Sequence, residues 1–234
     1  MKKISQIVLL AGGKGTRMGE MTKEVPKPMV PIGDKPVLDH LIQIFSLFGK
    51  FEFIICAGYL GDQIQDYYKT NKNIKFIDTG AETPTGGRLF KIQEHLDENF
   101  IVTYGDGLAN VKINDLIKFH LGNENIGTVT VANPISRFGL VNFDSNYLVK
   151  DFIEKPKMKD SYVNIGFMAF NKNIFKYVNE TSTLETDPLI KLTEDSQLRC
   201  FLHDGYFEPM DTYREYLNMN KLWERGSAPW LKYD

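Results

Sequence analysis

The sequence predicts an α/β fold, with a Rossmann-like, mixed and mainly parallel sheet that carries helices on both faces. Short apolar runs, such as residues 7–11 and 53–57, alternate with segments whose apolar residues recur at helical spacing. The connections between these segments are short, which favours parallel strands covered by helices on both sides. The chain has 234 residues, 42% of them hydrophobic, so it can bury the core of one such domain.

Strands and helices are predicted in alternation over the first half of the chain. The clearest helix covers residues 37–48, where Leu38, Leu41, Ile42, Phe45 and Phe48 share one helical face. The same patterns predict strands at residues 7–11, 51–57, 74–78 and 100–104 and helices at residues 62–69 and 89–96. This repeat is typical of a parallel sheet.

The pattern changes after about residue 126. Strands are predicted at residues 127–132, 139–143 and 149–154, then a short helix at 173–178 and a longer one at 213–224. We expect these strands to form extra sheet strands and hairpins that face a substrate. Because no repeat, low-complexity segment or Gly/Ser linker divides the chain, we predict a single domain over residues 1–234.

The composition argues against several classes of protein. A formal net charge of -2 gives no bulk attraction to nucleic acid or to a membrane surface. No apolar run is long enough to span a bilayer. The chain has two cysteines, and Cys56 lies in an apolar run, so we expect a buried free thiol, no disulfide framework and a cytoplasmic location.

The most informative segment is residues 11–17, AGGKGTR, directly after the first predicted strand. Gly12, Gly13 and Gly15 allow the backbone to turn and to bring N–H groups close to phosphate oxygens. Arg17 adds a planar cation suited to phosphate. The glycine spacing fits neither a P-loop nor a dinucleotide fingerprint, which argues against an NAD-dependent oxidoreductase. A glycine-rich turn without a ligand is the alternative.

Lys27 lies in the next segment, VPKPM, at residues 25–29. Prolines on both sides restrict the backbone and disfavour a helix there. A lysine on such a stiffened loop loses less entropy when it binds phosphate. A solvated loop lysine is the alternative, and the neighbouring glycine-rich segment favours the phosphate role.

Two aspartates are candidate metal ligands. Asp106 follows a predicted strand and is flanked by Gly105 and Gly107, while Asp211 precedes the last predicted helix. Alone, Asp106 fits an ordinary turn, and Asp211 fits an N-cap of that helix. Together they fit Mg²⁺ in phosphate chemistry, which is usually held by one or two carboxylates and substrate phosphates.

Four segments, in order, resemble the sugar-phosphate nucleotidyltransferase family over the whole chain: GGKGTR at residues 12–17, PKP at 26–28, GDG at 105–107 and EKP at 154–156. Within this family the glucose-1-phosphate cytidylyltransferase branch is the most similar. Its likeness rests on DTG at residues 78–80, TGGRL at 85–89, YGDG at 104–107, RFG at 137–139, PMDT at 209–212 and LWERGSAPW at 222–230.

The resemblance implies a reaction and its participants. A phosphorylated acceptor, such as glucose 1-phosphate, would attack the α-phosphate of an NTP, CTP in this branch, and release pyrophosphate. The implied cofactor is magnesium. The acceptor-binding part would lie mainly in residues 127–212.

The resemblance also implies roles for individual residues. Arg17, Lys27 and Asp106 would be catalytic, and Asp106 and Asp211 would bind Mg²⁺. Nucleotide contacts are implied for Leu10, Ala11, Gly12, Gly13, Gly15, Thr16, Thr83, Gly87, Arg88 and Gly105, with Thr83 and Arg88 at the cytosine. Acceptor contacts are implied for Glu154, Lys155, Asn164 and Phe207, with Lys155 on the phosphate.

Two departures from the branch keep alternatives open. Residues 68–77 form a shorter stretch than the one associated with subunit contacts in cytidylyltransferases, so the homo-oligomeric state stays open. Near the acceptor pocket, Phe207 stands where tryptophan is expected and Ile165 where glycine is expected, so another sugar phosphate or a non-sugar phosphate remains an alternative acceptor. Another NTP (UTP, dTTP or GTP) is a separate alternative. A non-catalytic nucleotide-sugar sensor would be expected to lack Lys27 or a metal carboxylate, and this chain has both.

Overall fold

The computed structural model describes residues 3–233. One central sheet is accompanied by α-helices and by three small two-stranded sheets. The strands are β1 (Gln6–Leu10), β2 (Pro31–Ile32), β3 (Lys35–Pro36), β4 (Glu52–Ala57), β5 (Ile74–Asp78), β6 (Asn99–Tyr104), β7 (Gly107–Ala109), β8 (Gly127–Ala132), β9 (Leu140–Phe143), β10 (Val149–Ile153), β11 (Val163–Asn164), β12 (Met168–Asn171), β13 (Leu198–Leu202) and β14 (Phe207–Pro209). The α-helices are α1 (Val37–Ser46), α2 (Gly61–Tyr68), α3 (Thr85–Lys91), α4 (Ile113–Leu121), α5 (Pro188–Glu194) and α6 (Tyr213–Glu224).

The central sheet is mixed and mainly parallel, as the sequence predicts. Its order is β11-β8-β12-β6-β1-β4-β5, and β13 pairs with β8. Strands β6, β1, β4 and β5 are parallel neighbours, whereas β12 runs antiparallel to both β6 and β8. Because β1 and β6 are adjacent and parallel, the loops that follow them emerge at the same edge of the sheet.

Helices cover both faces of this sheet. Alternate residues of β1 enter two hydrophobic clusters, with Ile7 and Leu9 in one and Val8 and Leu10 in the other. The first cluster includes buried residues of α1, α2, α4 and α6, and the second includes residues of α3 and α5. All five residues of β1 are buried, as expected for a strand covered on both sides.

Most predicted elements agree with the structure within one or two residues. The short helix predicted at residues 173–178 is a 3₁₀ turn at Lys172–Lys176, and α3 has different bounds. A helix was expected at residues 89–96, whereas α3 begins at Thr85 and is followed by a 3₁₀ turn at Gln93–His95. Gly86 and Gly87 disfavour a helix by propensity. They are nevertheless required here, because a Cβ on either residue would collide with the backbone of Ser182 or Glu180.

One expectation from composition, the buried free thiol, is supported by the structure. Cys56 is buried in β4, burial raises the pKa of its thiol to about 12, and both Cys56 and the exposed Cys200 are free. Within residues 3–233, no helix combines the length and the apolar character needed to cross a membrane.

Candidate functional site

The loops that follow β1 and β6 pack directly against each other. Leu10 ends β1 opposite Tyr104 of β6, and the N–H of Gly105 donates a hydrogen bond to the carbonyl of Leu10 at 3.0 Å. A Cβ on Gly105 would lie 3.1 Å from that carbonyl and 3.2 Å from Cγ of Pro28. The absence of a side chain at Gly105 therefore lets these two loops and the Lys27 segment meet.

Lys27 lies against the glycine-rich loop. Gly15 has a φ of 62°, and a Cβ there would lie 2.9 Å from Cβ of Lys27. The backbone of Lys27 forms a 3₁₀ turn over Lys27–Met29, and its carbonyl accepts a hydrogen bond from the N–H of Val30 at 3.1 Å. The expectation that the two prolines disfavour a helix is therefore wrong for residues 27–29, because proline is tolerated in the first turn of a helix.

The ammonium group of Lys27 joins the two candidate metal carboxylates. Its Nζ atom donates to Oδ2 of Asp106 at 2.5 Å and to Oδ1 of Asp211 at 2.8 Å. The two carboxylates therefore share one cation, the ammonium group of Lys27. Arg17 approaches from the other side, and its guanidinium donates to Oδ2 of Asp211 at 2.6 Å. We call Arg17, Lys27, Asp106 and Asp211 the charged cluster.

A second pair of strands brings Asp211 to Asp106. Strand β14 pairs with β7, and the N–H of Met210 donates to the carbonyl of Asp106 at 2.8 Å. The alternative role of Asp211 as an N-cap is wrong, because Thr212 caps α6 in a capping box with Glu215. Glu215 also accepts a hydrogen bond from the N–H of Asp211 at 2.9 Å. The Asp211 carboxylate is therefore free of the cap and faces Lys27 and Arg17.

Burial and charge set the ionisation of the cluster. Burial of the Lys27 ammonium works to lower its pKa, but the charge and hydrogen bond of Asp106, followed by those of Asp211, raise this pKa above the ordinary lysine value. Burial works to raise the pKa of Asp211, but the hydrogen bonds and charges of Lys27 and Arg17 hold it below the ordinary value. Both groups are therefore charged at neutral pH.

Arg88 lies beneath the glycine-rich loop. Its guanidinium is buried and donates to the carbonyls of Gly12 and Ala57, at 2.9 and 2.8 Å, and to the hydroxyl of Thr79 at 2.7 Å. A Cβ on Gly12 would collide with this guanidinium. Arg88 thus holds the loop from below, and its predicted contact with cytosine stays a prediction.

Two other residues predicted to contact the nucleotide also have partners within the protein. Thr83 donates its hydroxyl to the carbonyl of Thr79 at 2.5 Å. Gly87 donates its N–H to the carbonyl of Ser182 at 3.0 Å, so that donor is already used. Of the remaining loop residues, Leu10, Ala11 and Gly12 are buried, while Gly13 and Thr16 are exposed beyond the strand end.

Two of the predicted acceptor residues lie beside the strands that precede and follow Asp106. The amide of Asn164 reaches the hydroxyl of Tyr104 at 3.5 Å. Phe207 packs against Gly107, where a Cβ would lie 3.5 Å from its ring. Glu154 and Lys155 lie instead at the base of the β9–β10 hairpin and form an ion pair at 2.5 Å.

Sequence reasoning missed a carboxylate near these residues. Glu185 accepts hydrogen bonds from the hydroxyl of Tyr104 at 2.5 Å and from that of Thr85 at 2.8 Å. It thereby connects the start of α3 to the end of β6, next to Asp106. Burial, followed by the charge of Glu185, raises the pKa of the Tyr104 phenol well above its ordinary value, so the phenol stays neutral. No local pattern around Glu185 signals this position.

Comparison with known proteins identifies the class to which this arrangement belongs. A sequence profile of the nucleotidyl transferase family matches residues 6–223, nearly the whole chain. The chain belongs to the nucleotidyl transferase family. It is therefore a nucleotidyltransferase, and the family resemblance drawn from the sequence motifs is confirmed. The matched range contains the entire charged cluster.

Named relatives of this nucleotidyltransferase extend over its full length. It is 37% identical to a glucose-1-phosphate cytidylyltransferase of Salmonella typhi, covering 97% of this chain and 99% of the relative. It is 35% identical to a probable glucose-1-phosphate cytidylyltransferase of Bacillus subtilis, covering 95% and 98%. The Salmonella alignment spans 255 positions, more than the 234 residues of this chain, so that relative contains residues without a counterpart here.

A solved structure supports the same fold. The crystal structure of HddC from Yersinia pseudotuberculosis superposes on this nucleotidyltransferase with a TM-score of 0.74 and 25% identity, covering 94% of this chain and all of the other. The Rossmann-like α/β prediction agrees with this similarity.

Proposed function

We propose that this nucleotidyltransferase transfers a cytidylyl group from CTP to a sugar 1-phosphate and releases pyrophosphate. The observation that carries the chemistry is the charged cluster, in which Lys27 joins Asp106 and Asp211 at the ends of the sheet strands. The base and the acceptor, CTP and glucose 1-phosphate, are suggested by the names of the Salmonella and Bacillus relatives.

Magnesium fits the donor set of the cluster. Asp106 and Asp211 converge on one cation, the Lys27 ammonium, so the site already holds positive charge between two carboxylates. In the part of the chain that the structure describes, no group of three or more His, Cys, Asp or Glu side chains could hold a metal. Substrate phosphates and water would complete the coordination, which is how Mg²⁺ is usually bound in phosphate chemistry. When bound, Mg²⁺ would neutralise phosphate charge and polarise the α-phosphate.

The main obstacle to the reaction is repulsion between anions. The acceptor phosphate is already anionic near neutral pH, so its oxygen needs no strong base before it attacks the α-phosphate. Arg17 and Lys27 would bind the triphosphate, and Lys155 would bind the acceptor phosphate. These cations would offset the repulsion and stabilise the charge of the transition state.

The glycine-rich loop would bind the triphosphate through its backbone. Gly13 has no atom within 4 Å of the place where a Cβ would stand, so a ligand can approach its backbone closely. Leu10, Ala11, Gly12, Gly15, Thr16 and Gly105 would line the nucleotide, with Thr83, Gly87 and Arg88 on the base side. Arg88 supports this proposal by fixing the carbonyl of Gly12.

The acceptor would bind between the sheet and the β9–β10 hairpin, mainly within residues 127–212 of a single domain. Asn164 lies beside the strand that precedes Asp106 and Phe207 beside the strand that follows it, while Glu154 and Lys155 lie at the hairpin base. The free thiols support a cytoplasmic location. Surface-glycan synthesis is the pathway expected for such an enzyme.

A pyrophosphate-release screen tests this proposal. CTP, UTP, dTTP and GTP are each combined with glucose 1-phosphate, other sugar 1-phosphates and non-sugar phosphates, with Mg²⁺ present. We expect release with CTP and glucose 1-phosphate. Release with another pair would reassign the substrates and keep the chemistry, whereas nucleotide binding without any release would indicate a sensor and contradict the proposal.

A further inference from the structure

The end of the last helix and the segment that follows it pack against the two-stranded hairpin next to Lys27. Strands β2 and β3 form this hairpin, which begins one residue after the 3₁₀ turn at Lys27–Met29. The N–H of Val37 donates to the carbonyl of Val30 at 3.1 Å, which connects the base of the hairpin to the start of α1. The motif LWERGSAPW, at residues 222–230, belongs to this region and has no role in the proposed function.

Two side chains near the end of α6 hold the turn of the β2–β3 hairpin. Asn220 accepts a hydrogen bond from the N–H of Gly33 at 2.9 Å. The indole of Trp223 fills the space beside Gly33, where a Cβ would collide with the ring. The ammonium group of Lys35 lies over the same indole, 5.2 Å from the ring centroid. The end of α6 therefore fixes the turn between β2 and β3.

His40 connects this helix end to a strand of the same hairpin. Its ring is fully buried and contacts the rings of Trp223 and Trp230, with centroids 4.8 and 5.5 Å away. An indole N–H can only donate, so Nδ1 of His40 accepts from Nε1 of Trp230 at 3.2 Å and the proton is on Nε2. Nε2 donates to the carbonyl of Ile32 in β2 at 2.9 Å, and burial lowers the pKa of His40, which keeps the ring neutral. We call four residues the C-terminal clamp: His40, Asn220, Trp223 and Trp230.

The helix that carries part of the clamp begins at the other half of the charged cluster. Glu215, in the first turn of α6, accepts hydrogen bonds from the N–H groups of Asp211 and Thr212 at 2.9 and 2.8 Å. Helix α6 is therefore held to the backbone of Asp211 at its N-terminal end and to the β2–β3 hairpin, which follows Lys27, at its C-terminal end.

We propose that the C-terminal clamp positions Lys27 for the reaction, by fixing the hairpin after Lys27 and the backbone of Asp211 to one helix. Lys27 and Asp211 are 184 residues apart in the chain, so their contact at 2.8 Å depends on how the two segments are held. Displacing a reacting group by about 1 Å can lower a rate roughly 100-fold. His40 and Trp230 are fully buried, so they act as positioning residues through Lys27. The effect on turnover rests on the proposed function, whereas the effect on the Lys27–Asp211 contact does not.

Two variants open the clamp at different points. Trp230→Phe keeps an aromatic ring and removes the N–H that His40 accepts. Gly33→Ala places a Cβ where the indole of Trp223 lies. Far-UV circular dichroism and the melting temperature establish that each variant is folded.

Each clamp variant has a matched control. Ile174→Val removes one buried methylene group from the other hydrophobic cluster, away from the clamp. Gly226→Ala places a Cβ at a φ of 65°, close to the 66° of Gly33, but in open space. The controls separate displacement of the clamp from loss of packing and from backbone strain.

Competitive acetylation of the amines, followed by mass spectrometry, measures how firmly Lys27 is held and needs no substrate. Although burial works to lower it, the pKa of Lys27 is raised by the two carboxylates, so the amine reacts slowly while it lies between them. The exposed Lys23 is the internal reference. We expect Lys27 to react about threefold faster or more in both clamp variants, which corresponds to a fall of about half a unit in its pKa, and at the wild-type rate in both controls.

Pyrophosphate release, with the substrate pair found by the screen above, is the second readout. We expect kcat to fall about threefold in Trp230→Phe and about tenfold in Gly33→Ala, with both KM values unchanged, because Lys27 would act on the transition state. A role in stability alone would lower only the melting temperature. Unchanged acetylation of Lys27 in both clamp variants, unchanged kcat in both beside an active wild type, or equal changes in the controls would overturn the proposal. Faster acetylation of Lys27 in the clamp variants of a protein that turns over no substrate pair would support the clamp and count against the proposed function.

Discussion

The charged cluster and the β9–β10 hairpin differ in how firmly the protein holds them. Lys27 has only 9% of its side chain exposed and contacts two carboxylates that follow different strands. Glu154 and Lys155 lie at the base of a hairpin whose strands are exposed throughout, and they pair with each other. Under the proposed function, phosphate chemistry would rest on buried groups at the strand ends, whereas binding of the acceptor phosphate would rest on a surface element that tolerates change.

The largest effect is expected from Lys27→Ala. It removes the cation proposed to contact the reacting phosphate and leaves Asp106 and Asp211 facing each other. We expect kcat to fall by roughly 100-fold or more, measured as pyrophosphate release. Lys27→Met, which keeps most of the buried volume, should lose as much activity with less loss of stability.

The matched control for Lys27 is Lys23→Ala. Lys23 lies nearby on the chain and pairs with Glu20 on the surface. We expect its kcat to stay near that of the wild type. Near-normal kcat in Lys27→Ala, or an equal loss of kcat in Lys23→Ala, would contradict the catalytic role of the charged cluster.

Lys155→Ala probes the other region. Losing one charge-assisted contact to the acceptor phosphate should raise the acceptor KM by about tenfold. The KM for CTP should stay unchanged, because the nucleotide side of the site is separate from the hairpin. Lys150→Ala, which removes a surface pair with Asp144 on the same hairpin, serves as the control. A change in the KM for CTP without a change in the KM for the acceptor would contradict the proposed contact between Lys155 and the acceptor phosphate.

Phe207→Trp tests whether the acceptor preference can change while the charged cluster stays intact. Phe207 is half-buried against Gly107, so a larger ring changes the shape beside the acceptor and leaves the charged cluster in place. We expect the ratio of kcat/KM for two sugar 1-phosphates to change by about 10-fold at most. Phe138→Trp, at an exposed position, should leave this ratio as it is. An unchanged ratio in Phe207→Trp would remove Phe207 from the acceptor pocket.

The smallest expected effect concerns stability and pH. The folded-state pKa of Asp211 is depressed, so its contribution is present above the unfolded value of 3.8 and is lost as the pH falls through the folded value. The difference in melting temperature between the wild type and Asp211→Asn should therefore be larger at neutral pH than in acid below that value. A difference that is constant with pH would contradict the ion pair with Lys27.

Much of the fold could be predicted because periodicity and turn residues are local. Strand β5 and helix α6 have the predicted bounds, β4 and β6 differ by one residue at one end, and β1 is shifted by one residue. Helix α4 was missed, although Ile113, Leu116 and Ile117 lie at helical spacing. The antiparallel pairing of β12 between β6 and β8 joins segments far apart in the chain, which no local pattern reports.

The candidate site likewise contains some residues that the sequence could predict and others that it could not. Gly15 and Lys27 stand out in the sequence because glycine and proline have strong backbone effects. The cap at Thr212 and the hydrogen bond from Met210 to Asp106 depend on tertiary pairing, so the role of Asp211 was left open. The burial of Arg88 beneath Gly12 could not be predicted, because the burial of a long side chain depends on elements distant in sequence.

The central claim is that Asp106 and Asp211 hold one metal ion together with the nucleotide. Isothermal titration of Mg²⁺ into the protein with a non-hydrolysable CTP analogue tests it most directly, using the wild type, Asp106→Asn, Asp211→Asn and the hairpin control Asp151→Asn. We predict that each cluster variant loses roughly 10-fold or more in Mg²⁺ affinity and that Asp151→Asn matches the wild type. Wild-type affinity in Asp106→Asn or in Asp211→Asn would contradict the shared site.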